Sequence, residues 1–126
     1  MEIFQPLSNA PMETVAPGIS RFVFTLERLM GVYIEAEPGA RMAEHSHPHE
    51  QMGMIIRGKS MWRIGGRESI LEAPALYRLP SNEPHAVEVL GDETAIFLDF
   101  FSPIREDFLQ GVPPAYMKGS VPQEDA

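Results

Sequence analysis

His45, His47, Gln51 and His85 are the residues of this chain whose types and spacing could do chemistry together. Alternate side chains of an extended strand share a face, so His45 and His47 can turn two imidazoles toward one ion. Gln51 follows across a bend imposed by Pro48 and can return on a neighbouring strand with its amide oxygen. His85 ends the turn-forming string LPSNEPH, where Pro80, Asn82 and Pro84 fix the approach of the backbone. Three imidazoles and an amide are all neutral, so a divalent ion held by them would keep its full charge and act as a strong Lewis acid. Zinc, nickel, manganese and iron all suit such donors. The set lacks the carboxylate of the two-histidine oxygenase triad, which favours non-redox chemistry. A plainer alternative is a short His-rich tract with no resident ion, with Gln51 only hydrogen-bonding inside a sheet. His49 falls out of the alternation at Pro48 and is expected in a loop or outside the ligand shell.

A second segment, AIFLDFFSPIREDFL at 95–109, carries an acid in unusual company. By strand alternation Phe97, Asp99 and Phe101 share one face, and Ile96, Leu98 and Phe100 the other. An acid between two aromatics on an inward face is desolvated, which raises its pKa toward neutrality and suits it to passing protons. Arg105, after Pro103, is the nearest cation in sequence, and an Asp99 to Arg105 salt bridge is the structural alternative. Arg57 and Arg78 are further cations with nothing in their context to separate them from surface residues.

The elements that must position these groups are strands. Twelve prolines and ten glycines punctuate short apolar runs such as RFVFTL, GVYIEAE, QMGMIIRG, MWRI and AIFLDFF. Gly65 and Gly66 between MWRI and RESIL mark a hairpin turn, and Pro38 and Gly39 end another strand. The expected fold is all-β, a small antiparallel barrel or jelly roll in a single domain spanning 1–126, with REDFLQG as one short helical turn. Met42, Met52, Met54 and Met61 read as adaptable core filler, and Trp62 as core.

Composition narrows the function classes. The absence of cysteine removes disulfides and thiolate ligands together, leaving imidazole and oxygen donors. A formal net charge of −8 without a basic face argues against a nucleic-acid partner. The N-terminal segment has neither the basic start nor the apolar core of a secretory signal, and no stretch approaches a membrane span, so a cytoplasmic protein without a membrane partner is expected. The Pro-rich end, VPPAYMKGSVPQEDA, reads as a tail or an arm across a partner, and strand augmentation makes a homodimer the expected assembly.

The histidine run resembles the first motif of the cupins: Gly39, five residues, His45, one, His47, three, Gln51, six, Gly58. Gln51 stands where most cupins carry Glu. In the second motif Pro80 and His85 fit, while Pro74, Asn82 and Val89 replace Gly, Gly and Asn. That resemblance implies a double-stranded β-helix, a jelly-roll barrel, with its core at about residues 20–110. HSHPHEQ and DFFSPIREDFL together resemble one branch in particular, the KdgF-type uronate ring-opening proteins of pectin and alginate breakdown, which use the Gln form. The resemblance implies metal ligands at His45, His47, Gln51 and His85, and catalytic residues at Asp99, Phe101 and Arg105. It also implies an anionic sugar substrate, a 4,5-unsaturated uronate, opened to the linear 5-keto-4-deoxyuronate in a non-redox isomerisation. In that scheme Asp99 shuttles the proton, Arg105 meets the carboxylate and Phe101 packs against the sugar. A cupin-type metal oxygenase and a non-catalytic sugar- or acid-binding cupin remain open at this point.

Overall fold

The computed structural model describes residues 2–109, so the Pro-rich C-terminal stretch lies outside the described residues. After a 3-10 turn at Leu7–Asn9 the strands are β1 (Glu13–Ala16), β2 (Ile19–Thr25), β3 (Met30–Ala36), β4 (Arg41–His45), β5 (Glu50–Arg57), β6 (Lys59–Ile64), β7 (Arg67–Glu72), β8 (Ala75–Leu79), β9 (His85–Leu90) and β10 (Ala95–Ser102). A single helical turn, α1 (Glu106–Leu109), follows. They form a six-stranded sheet in the order β1-β2-β3-β10-β5-β8 and a four-stranded sheet in the order β4-β9-β6-β7. Each recorded pairing is antiparallel, so the expected all-β jelly roll is the fold observed.

The apolar runs became strands because their β-branched and aromatic residues alternate. Along β10, Ala95, Phe97, Asp99 and Phe101 are buried while Ile96, Leu98 and Phe100 are partly exposed, a period of two that marks one inward face. Gly65 and Gly66 both take positive φ, 56° and 82°, the backbone that a two-residue hairpin between β6 and β7 requires. The inward faces of both sheets close on Ile34, Ile55, Val87, Val89 and Phe97. Each such side chain contributes about 1.5–3 kcal/mol on leaving water.

Trp62 lies in this core, 5% exposed, with its indole nitrogen donating to Ser60 Oγ at 3.1 Å. The methionines divide. Met42 is buried, but Met52 is 60% exposed, because its place in β5 alternates with Gln51 and Gly53 and turns it to the outer face. Arg57 and Arg78 are likewise exposed.

A histidine cluster and a buried carboxylate

The two sheets bring the candidate groups together from opposite sides. His45 ends β4 and His85 begins β9, where the two are direct cross-strand partners. His47 lies just beyond β4, in the bend at Pro48, so a turn and not a continuous strand delivers it. The three rings crowd one another, with centroids 4.1 Å apart for His45 and His85, 5.0 Å for His47 and His85 and 5.7 Å for His45 and His47. One ligand atom from each lies within 4.8 Å of the others. Gln51 comes from β5 in the other sheet, beside Phe101 of β10.

Each imidazole has its Nδ1 on a backbone carbonyl. His45 donates to Ala43 at 2.9 Å, His47 to His49 at 3.0 Å and His85 to Glu83 at 2.9 Å. With the Nδ1 proton thus committed, each Nε2 presents its lone pair, the tautomer a metal ligand needs. His85 Nε2 is buried without a hydrogen-bond partner, a cost of about 1–3 kcal/mol that ligation would relieve. His47 Nε2 faces Gln51 Oε1 at 3.1 Å. Two lone pairs at that distance repel unless a cation lies between or beside them. The donor set therefore fits a divalent ion held by His45, His47, His85 and Gln51.

Burial keeps the rings neutral. It pushes His45 down to about 3, helped by the neighbouring His85, and His47 down to about 4, helped by the charge of Arg105. His85 is lowered by burial as well. His49 stands in the turn with its ring 5.7 Å from that of His47, and its carbonyl orients His47.

Asp99 sits beside this cluster, 4% exposed. Tyr77 donates to its Oδ1 at 2.5 Å, and a hydrogen bond from Gln51 also reaches it. Burial raises the carboxyl to about 7, with those two hydrogen bonds holding it down. Gly53 makes the contact with tyrosine geometrically possible. It lies between Asp99 on β10 and Tyr77 on β8 in the strand pairing, and a Cβ there would overlap Asp99 Oδ1, the Leu98 carbonyl oxygen and the Tyr77 hydroxyl. Neither Tyr77 nor Gly53 stood out in the sequence. The one signal was a glycine inside an otherwise apolar strand, which marks a close approach. Gly53→Ala is expected to cost about 1–3 kcal/mol through overpacking and to displace the carboxylate. A thermal melt at wild-type stability would contradict this.

Arg105 does not pair with Asp99. Its Nε and Nη2 donate to Asp107 at 3.1 and 2.9 Å, and its guanidinium lies over Phe101 and Phe108, 5.4 and 4.4 Å from the ring centroids. The remaining Nη1 is buried without a partner. Phe101 is 3% exposed, its ring packed between His47 at 5.8 Å and Phe108 at 5.5 Å. A small cavity of about 20 Å³, room for roughly one water, reaches inward among His45, Gln51, Tyr77, His85 and Asp99.

The two kinds of shifted group oppose each other in stability. Folded histidines with pKa values of about 3 and 4, against 6.5 unfolded, bind fewer protons than the unfolded chain, so their contribution is lost as pH falls below 6.5. Asp99, raised to about 7 from 3.8, works in the other direction over that interval. The histidines outnumber it. Chelated protein is expected to lose melting temperature steadily from pH 6.5 to 4, and a flat or rising trend over that range would contradict the balance.

Residues 32–101 match the family model described as Cupin domain. The chain is 35% identical over 103 residues to the pectin degradation protein KdgF of Dickeya dadantii (strain 3937), covering 80% of this chain and 93% of that one. Among solved structures, KdgF from Halomonas sp. superposes with a TM-score of 0.79 at 25% identity, covering 86% of this chain and 99% of its own. An RmlC-like cupin from Shewanella frigidimarina NCIMB 400 gives 0.79 at 28% identity, covering 86% and 96%.

Proposed function

This chain belongs to the cupin domain family as a relative of the pectin degradation protein KdgF, and from that premise we propose that it opens the ring of 4,5-unsaturated uronate monosaccharides. The product is the linear 5-keto-4-deoxyuronate. The observation that carries this reading is the buried Asp99, held over Gly53 by Tyr77 and Gln51 beside the histidine cluster.

The isomerisation moves one proton. The anomeric hydroxyl gives up its proton as the C1 carbonyl forms and the C1–O5 bond breaks. The electrons released to O5 make an enolate, which becomes the C5 ketone when C4 takes a proton. A carboxylate whose proton affinity lies near neutrality can accept the first proton and return it at C4. Asp99 has that character, and Tyr77 and Gln51 fix its direction. A divalent ion bound by His45, His47, His85 and Gln51 would supply Lewis acidity toward the sugar's oxygens. Arg105 keeps Nη1 available for the substrate carboxylate while Asp107 fixes the rest of its guanidinium. Phe101, 3% exposed, packs near the His47 ring and the Arg105 guanidinium and so helps position those two groups, where the resemblance had it lying against the sugar.

The test follows the unsaturated-uronate absorbance as protein is added to monosaccharides from pectate and alginate lyase digests, with a chelated sample alongside. The relative's name makes the pectin-derived sugar the first choice. Rapid loss in metal-loaded protein and none beyond the spontaneous rate after chelation is the expected outcome. A spontaneous rate in a sample shown to hold its metal would overturn the proposed reaction.

A further inference from the structure

Arg21 occupies a place where an apolar side chain would be expected. It stands on β2 in the row that continues through Ile34 of β3 and Phe97 of β10, and it is 1% exposed. A guanidinium is costly to bury unless it is paired and fully hydrogen-bonded. Its Nε donates to Glu13 Oε1 at 3.2 Å, but Glu13 is itself half exposed, and the Arg21 Nη1 is buried without a partner among the described residues. Packing gives no reason for this choice, since an unbranched apolar side chain would fill the row without the desolvation cost. What the guanidinium does meet is an aromatic ring, with its carbon 4.2 Å from the centroid of Phe108.

We propose that Arg21 is a positioning residue for Arg105, acting through Phe108, so that β1 and β2 set the direction of the cation that meets the substrate carboxylate. This rests on the reading of Arg105 as that carboxylate contact. Arg105 immediately precedes α1, a turn of four residues, and so short a helix has no stability of its own. Asp107 holds the Arg105 guanidinium but belongs to the same turn, so that pair cannot tie the turn to the barrel. Phe108 can, because it is the buried residue of α1. Its ring carries the Arg105 guanidinium at 4.4 Å and the Arg21 guanidinium at 4.2 Å, and it meets Phe101 edge to face at 5.5 Å. Guanidinium planes lie well on aromatic faces. Glu13 anchors Arg21, Arg21 seats Phe108, and Phe108 orients Arg105 with its Nη1 free of partners among the described residues. A planar, delocalised cation suits this task better than a lysine, whose compact ammonium cannot lie flat on the ring.

Arg21→Met and Arg21→Lys test this in metal-loaded protein, with turnover of the unsaturated uronate and isothermal titration of galacturonate and galactose measured on each. Methionine keeps the unbranched stem and removes a buried charge, so the melt should stay at or above that of wild type. KM is nevertheless expected to rise about tenfold, the low end of what a charge-assisted hydrogen bond is worth, with kcat within about twofold. Galacturonate affinity should fall by the same factor and that of uncharged galactose should not change. The lysine variant should show the same split, and it carries the test alone if the methionine variant does not fold. A folded variant with wild-type KM and galacturonate affinity would overturn the proposal. So would a lysine variant equal to wild type, since a point charge would then suffice, or a wild type that binds galacturonate no better than galactose. The titration keeps this inference separate from the reaction: were wild type inactive on unsaturated uronates, a tenfold loss of galacturonate affinity would still support the role of Arg21, and an unchanged affinity would still overturn it.

Discussion

Asp99→Asn is expected to slow the proposed ring opening by about 10²–10⁴-fold, the usual worth of a positioned acid–base group, while bound metal and fold stay close to wild type. The substitution keeps the shape of the side chain and removes its proton affinity. The local geometry favours this separation. Asp99 is 4% exposed and is linked to the candidate metal ligands through Gln51, whose amide hydrogen-bonds to it. An asparagine can still offer its oxygen to the Tyr77 hydroxyl and to Gln51, so the strands on either side of Gly53 should keep their register. Metal content by atomic spectroscopy, a thermal melt and turnover of the unsaturated uronate measured together would resolve the roles. Full turnover at unchanged metal content would remove Asp99 from the chemistry. Loss of metal along with activity would make it a support for the ligand shell instead.

The strands were legible where alternation was clean. AIFLDFF put Asp99 inward and Leu98 outward, and the structure has both. The glycine pair closed its hairpin as its chemistry required. ETVA and ALYRL were harder, because β1 and β8 are short and β8 mixes an arginine into its pattern. The histidines were legible as types, but their route was not: His47 is delivered by the Pro48 turn, beyond the last residue of β4. What pattern could not supply was register. Tyr77 reaches Asp99 only because β8 and β10 flank β5 with Gly53 between them. Arg105 pairs with Asp107 and leaves Asp99 alone because the α1 turn holds an acid nearer to hand. A salt bridge read from proximity in sequence has no means of weighing that competitor.

Gln51→Glu separates metal binding from catalysis in the other direction. Restoring the carboxylate that most related motifs carry should hold a divalent ion at least as firmly as the amide does, since a charged oxygen donor replaces a neutral one. Turnover is nevertheless expected to fall by about 10²-fold, at the low end of what a disabled acid–base group costs. The amide of Gln51 has two ends with different tasks: its oxygen faces His47 Nε2 at 3.1 Å, and its hydrogen bond to Asp99 holds that carboxyl in place and in its charged form. An ionised glutamate has only acceptors. It would set a second carboxylate against a buried one, and two such groups in contact keep a proton between them. Asp99 would then be held protonated where the proposed reaction has it receive the anomeric proton. Isothermal titration with zinc or nickel and an assay of the same preparation read the two effects independently. A variant that binds metal tightly and turns over at the wild-type rate would show that the amide serves only as a ligand, and that the glutamine at this position has no part in controlling the acid behind it.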